Sequence, residues 1–181
     1  MGAGDRGEKI RSFSVFRIDQ GLARRSHRQR GRDAAAGPLL VIYCDTSLLV
    51  AALTSEAHSA IARPWLLAQD RGALAISDWT LTEFSSAIAM KFRRGAIDRT
   101  FRDIVEHAWT NLRADFALIP LGAKDFLAAA DLVDAGPKGL RAGDALHMAA
   151  VLNARCDLAT FDIDFAAAAT SLGVPVHPAR S

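Results

Sequence analysis

Short runs of β-forming residues alternate with longer stretches of helical period along residues 39–181, and this alternation constrains the fold most. "LLVIYC" (39–44), "ALAIS" (73–77), "FALIPL" (116–121), "DLAT" (157–160) and "VPVH" (174–177) read as strands. The first is continuous and apolar, as expected of a strand buried on both faces. A short helix follows from Ser47, and a longer one covers His58–Asp70, where Pro64 either kinks it or marks its first turn. Further helices are expected over Thr80–Arg94, stopped by Gly95, and over Arg99–Ala114, capped by Asp98. The last three cover Ala123–Ala135, Gly143–Ala154 and Phe165–Leu172, with Gly136-Pro137 ending the first of them. Strands separated by helices require right-handed crossovers, hence an α/β fold with a central parallel sheet of about five strands. Such sheets collect ligands at the carboxyl ends of their strands.

Charge separates this domain from what precedes it. Residues 1–38 hold nine Lys/Arg against four Asp/Glu, whereas residues 39–181 hold 13 against 16. The leader lacks a sustained apolar period, and we read it as a basic, disordered segment or as the product of a translation start assigned too early, the native chain then beginning near Val41. Basic arms of this kind also bind nucleic acid. The domain, 39–181, is long enough to bury a core. Its two cysteines, Cys44 and Cys156, are too few for a disulfide scaffold and fit a reducing compartment. No apolar run approaches the ~18 residues of a membrane span, and "FSVF" is too short for a signal peptide. A soluble, cytoplasmic protein with no membrane partner is expected.

Four carboxylates fall where the sheet rule puts ligands. Asp45 directly follows the first strand and Asp162 follows the fourth, while Glu83 and Asp144 lie early in helices. Each has an ordinary explanation: Asp45 and Asp162 as helix caps, Thr80 and Glu83 as a capping box, Asp144 as a charge suited to a helix start. Together, though, they would repel one another at one edge. A divalent cation removes that conflict, and oxygen ligands select Mg²⁺ or Mn²⁺. Carboxylate-held ions of this kind serve phosphodiester chemistry by activating water and neutralising phosphate.

Cations lie near these positions. Lys91, Arg93 and Arg94 follow Glu83 by about two turns, and Lys138 and Arg141 sit on the loop before Asp144. Phosphate contact and ordinary helix-end or loop charge are both open readings for them. His147 shares a helix face with Asp144 and reads first as a core histidine, with a proton shuttle or a support of the site as the alternatives. Thr46 and Thr160, beside carboxylates, either orient them or cap locally. There is no phosphate loop, no GxSxG elbow, and Ser47 replaces the second Asp that an aspartyl-nucleophile phosphatase would need. A phosphotransfer receiver with Asp45 as acceptor leaves Glu83, Asp144 and Asp162 without a purpose.

In order and spacing, "VIYCDTSLLVAAL", "SDWTLTEFSSAI", "LRAGDALHMAAVLNA" and "LATFDIDFAAAATSLGV" resemble the four acidic motifs of PIN-domain ribonucleases, and among them the VapC-type toxins of toxin–antitoxin pairs. The resemblance covers about 39–178. It implies a PIN-like three-layer α/β/α fold and an endoribonuclease that cleaves RNA by metal-activated water. It assigns the Mg²⁺ or Mn²⁺ site to Asp45, Glu83, Asp144 and Asp162, with Asp164 assisting; Thr46 and Thr160, from their places beside carboxylates, are the candidate supports. RNA contacts by Lys91, Arg94, Lys138 and Arg141 fit the same picture. It further implies a homodimer and a cognate antitoxin that covers the active-site groove. A nuclease-inactive PIN-type RNA-binding or regulatory protein is the alternative. The 38-residue leader is foreign to the family's pattern.

Overall fold

The computed structural model describes residues 41–178, so the leader and Leu39–Leu40 lie outside the described residues. Five strands form one sheet: β1 Ile42–Cys44, β2 Leu74–Ser77, β3 Ala117–Ile119, β4 Asp157–Ala159 and β5 Val176–His177. Their order is β3-β2-β1-β4-β5 and every pairing is parallel. The expected α/β class and strand number are therefore observed.

Seven α-helices accompany the sheet among the described residues: α1 Thr46–Leu53, α2 Ser59–Ala68, α3 Asp78–Arg93, α4 Arg99–Arg113, α5 Ala123–Ala135, α6 Ala142–Ala154 and α7 Ile163–Ser171. None is long and apolar enough to cross a membrane. The period of two in the strands sorts the helices into layers. Ile42, Cys44, Leu74, Ile76 and Ala159 face one core, built with Leu48, Leu49, Ala62, Phe84, Ile88, Val105 and Trp109 of α1 to α4. Tyr43 and Leu158 face the other, built with Ala129, Met148, Val151 and Phe165 of α5 to α7. The result is the three-layer α/β/α arrangement. β1, β2 and β4 are buried throughout, so they lack the apolar–polar alternation of a half-exposed strand; Ser77 and Asp157, the polar residues at their ends, are hydrogen-bonded to Tyr43 and His177.

Several helix ends follow the chemistry read from the sequence. Asp98 caps α4, its Oδ1 accepting from the Phe101 N–H at 2.8 Å. Replacing it by Ala should remove about 1 kcal/mol of stability, measurable as a lower urea midpoint with an unchanged slope. Gly95, just past α3, takes φ +68°, a left-handed value that favours glycine. One open reading is decided and one expectation needs correction. Pro64 lies inside α2, past its first turn; the Ala60 carbonyl that loses its helical partner is on an exposed residue, where water can satisfy it. And α3 starts at Asp78 with Ser77 as N-cap, so Thr80 rather than Glu83 reaches back, its Oγ1 accepting from the Ser77 N–H at 3.2 Å. Glu83 is left out of the cap.

The connection from β3 to β4 crosses back over the sheet, so the strand order reverses beside β1. The crevice at the carboxyl ends of β1 and β4 is thus the switch point where open α/β sheets bind ligands.

Candidate active site

Asp45 leaves β1 and caps α1 in extended conformation. Its Oδ2 accepts from the Ser47 N–H at 3.2 Å, the Ser47 hydroxyl at 2.6 Å and the Thr160 hydroxyl at 2.8 Å. Oδ1 stays clear of these bonds and lies 3.6 Å from His147 Nε2. Thr160 Oγ1 also accepts from the Asp162 N–H at 3.0 Å, and Ser47 Oγ from the Phe161 N–H at 2.9 Å. These two hydroxyls tie the loop after β4 to the end of β1.

Asp144 and Asp162 repeat the arrangement. Asp144 stands in the first turn of α6, with Oδ2 accepting from the Arg141 N–H at 3.1 Å. Asp162 caps α7, with Oδ1 accepting from the Phe165 N–H at 2.9 Å. Capping and site chemistry are therefore not rivals here. In each aspartate one oxygen satisfies a helix N-terminus, which also sets the direction of the other.

Glu83, half-buried on α3, accepts from His147 Nε2 through Oε2 at 2.7 Å. Its Oε1 faces the start of α6, where a Cβ on Gly143 would come within 3.2 Å of it. Glycine at 143 permits that close approach. His147, fully buried, bonds through Nδ1 to the Tyr43 hydroxyl at 2.6 Å.

One surface cleft is lined by Asp45, Glu83, Asp144 and Asp162, joined by Thr46, Ser47, Glu56, Lys91 and Arg94. All four sequence-predicted carboxylates and two of the four predicted cations thus meet. Lys91 forms an ion pair with Glu56 at the cleft. Lys138, Arg141 and Asp164 are exposed and lie outside the lining of this cleft, and Thr160 reaches it through its hydrogen bonds to Asp45, Ser47 and Asp162. Ser47, Tyr43 and Glu56 were not singled out from the sequence. Ser47 had a local signal, a hydroxyl two residues after a capping Asp; Tyr43 and Glu56 had none.

The electrostatics match crowded carboxylates. Burial raises the Asp144 pKa, and the charges of Asp162, Asp45 and Glu83 add to that, against the Arg141 N–H. Burial would also raise Glu83, but its hydrogen bond and attraction to His147 outweigh this and lower it. For His147 burial disfavours the charge, yet the bond to Glu83 and the charges of Asp45, Glu83 and Asp144 prevail and raise it above the ordinary 6.5.

These residues fit a divalent cation. Asp45, Glu83 and His147 each offer a ligand atom within 4.8 Å of the others, and Asp144 and Asp162 line the same cleft. The Thr46 hydroxyl is buried there without a well-formed hydrogen bond. The pH dependence follows with a definite sign. Asp144 and His147 both have raised pKa values, so the stability they contribute is present at low pH and lost as pH rises, for His147 through the region above 6.5. The metal-free protein should melt at a lower temperature at pH 8 than at pH 6. Added Mn²⁺, which competes with the proton on Asp144, should restore more at pH 8.

Residues 42–170 match the PIN domain family. The chain belongs to the PIN-domain family. No curated protein matches it significantly. Among solved structures, this PIN domain is similar to the VapC20 toxin of Mycobacterium tuberculosis, which cleaves the sarcin–ricin loop (22% identity, 70% of this chain and 94% of that one, TM-score 0.56). It is similar to FitAcB from Neisseria gonorrhoeae (18% identity, 75% and 96% covered, TM-score 0.58). It is also similar to VapBC2 from Rickettsia felis, bound to a DNA fragment from its promoter (16% identity, 76% and 98% covered, TM-score 0.55). At these identities the likeness establishes the fold of the PIN domain.

Proposed function

We propose that this PIN-domain protein is a Mg²⁺- or Mn²⁺-dependent endoribonuclease and the toxin of a toxin–antitoxin pair. The observation that carries the reading is the meeting of Asp45, Glu83, Asp144 and Asp162, from four distant segments, in one cleft at the strand ends. The four carboxylates would hold the ion, with Glu83 either as ligand or as orienter of water. When bound, the ion supplies positive charge that activates water and stabilises the phosphate in the transition state.

The chain's own residues do the rest. Ser47 and Thr160 hold Asp45 by its Oδ2, while Asp144 and Asp162 keep their orientation through backbone N–H groups. Lys91 and Arg94, at the same cleft, neutralise backbone phosphates of RNA; Lys138, Arg141 and Asp164 are assigned outer roles around it. Glu56, paired with Lys91, competes with phosphate for that cation. Glu56→Gln should therefore tighten RNA binding severalfold at low salt, and the gain should vanish at high salt.

The partners assigned are RNA, a second copy of the chain in a homodimer, and an antitoxin, all in the cytoplasm. VapBC2 supports the antitoxin by its likeness, being a complex held with promoter DNA. Incubating purified protein with RNA, with Mg²⁺ or with chelator, tests the enzyme. Cleavage with the ion and none with chelator is expected. RNA bound uncut, equally with and without the ion, would instead select the nuclease-inactive RNA-binding alternative.

A further inference from the structure

We propose that Tyr43 and His147 form a buried strut that fixes the Glu83 carboxylate, making both positioning residues of the metal site and leaving His147 outside the ion's ligand set. This rests on the metal-dependent reading above.

The strut joins four elements. The Tyr43 hydroxyl, on β1, lies 2.6 Å from Ser77 Oγ at the end of β2, 3.1 Å from Thr80 Oγ1 in the first turn of α3, and 2.6 Å from His147 Nδ1 on α6. The other ring nitrogen of His147 reaches Glu83 Oε2 at 2.7 Å. Glu83 is itself on α3, one turn beyond Thr80. The connection therefore leaves α3 at Thr80, crosses β1 and α6, and returns to α3 at Glu83. Such a closed path holds a side chain that would otherwise rotate about three bonds.

Packing alone does not account for it. Tyr43 and His147 are both fully buried, in the core that also holds Leu158, Met148 and Phe165. A phenyl ring and an aliphatic side chain would fill that space with no polar atoms to satisfy, and such replacements of buried polar groups are often neutral or stabilising. What the polar groups add is a single arrangement, because each bond is satisfied only when all its partners are in place.

The hydrogen bonds also decide the role of His147. Nε2 lies 2.7 Å from Glu83 Oε2 against 3.6 Å from Asp45 Oδ1, so it is engaged with Glu83. Nδ1 is engaged with Tyr43. Hard ions favour oxygen over imidazole in any case. The histidine thus acts through Glu83, as second-layer partners of metal ligands do.

The test uses the full chain with Mn²⁺ and an RNA substrate. Tyr43→Phe keeps the ring and removes only the hydroxyl. We expect its kcat and its Mn²⁺ affinity to fall by about 10- to 100-fold with KM for RNA little changed. His147→Ala should lose more, and His147→Gln, whose amide still donates, should recover part of that loss. Should His147→Ala not fold, Tyr43→Phe and His147→Gln carry the test. Wild-type kcat and Mn²⁺ affinity in Tyr43→Phe, with only a lower melting temperature, would overturn the strut. A directly bonded nitrogen in the electron-spin-echo spectrum of the Mn²⁺-loaded wild type would overturn the exclusion of His147 from the ligands. The wild-type arm separates the two levels: if it neither binds Mn²⁺ nor cuts RNA, the metal-dependent reading fails and the strut falls with it.

Discussion

Asp144→Asn should abolish Mg²⁺-dependent RNA cleavage, a loss of about a thousandfold or more, while the metal-free variant melts at or above the wild-type temperature. The two halves of this result come from one fact. Asp144 is held where burial, and after it the charges of Asp162, Asp45 and Glu83, disfavour its ionised form, so that form destabilises the empty cleft. Asparagine keeps the oxygen that accepts from the Arg141 N–H, and with it the first turn of α6. It removes the charge that an ion requires. Asp45→Asn should behave alike, because an amide oxygen can still accept from Ser47 and Thr160. Cleavage rates from purified variants and their melting curves provide the check. A variant that loses activity only because it unfolds would contradict the account.

Phe84→Ala should be among the most damaging single changes to stability. Phe84 is almost fully buried on α3 and stacks on Trp109 of α4, with ring centroids 4.4 Å apart. Truncating such a ring costs about 3–5 kcal/mol, a large part of a typical domain's stability. Denaturant unfolding would report it as a lower midpoint. Phe84 directly follows Glu83, so one face of α3 builds the core and the adjacent one the site. Protein that remains folded should accordingly show weakened Mn²⁺ binding. A loss below about 1 kcal/mol would mean that α3 is not anchored through this ring.

The fold was largely legible because its signals are local. Buried strands in α/β sheets are short apolar runs, and the stops at Gly95 and Gly136 are single-residue chemistry. Where local signals compete, the reading slipped. Thr80 and Glu83 have the spacing of a capping box, but Ser77 at the end of β2 captures Thr80 first and moves the helix start to Asp78. "VPVH" yields only a two-residue strand, Val176–His177, because Pro175 has no N–H for the ladder.

The candidate site divides along the same line. Its four carboxylates were visible from the strand-end rule together with the motif order, although each alone looked like a cap. The structure shows why: the caps are real and use one oxygen each. Ser47, Tyr43 and Glu56 escaped because their significance lies in contacts that sequence spacing does not reveal. Tyr43 meets His147 across 104 positions of chain. In "LLVIYC" it reads simply as one more β-former.

The central claim is that the cleft of the four carboxylates binds a divalent ion. Crystals grown with Mn²⁺ and measured at the manganese absorption edge would locate the ion directly. The account predicts an anomalous peak in the cleft within bonding distance of Asp45 and Asp144, lost in Asp144→Asn. A peak elsewhere, or one in this cleft unchanged by that substitution, would contradict it.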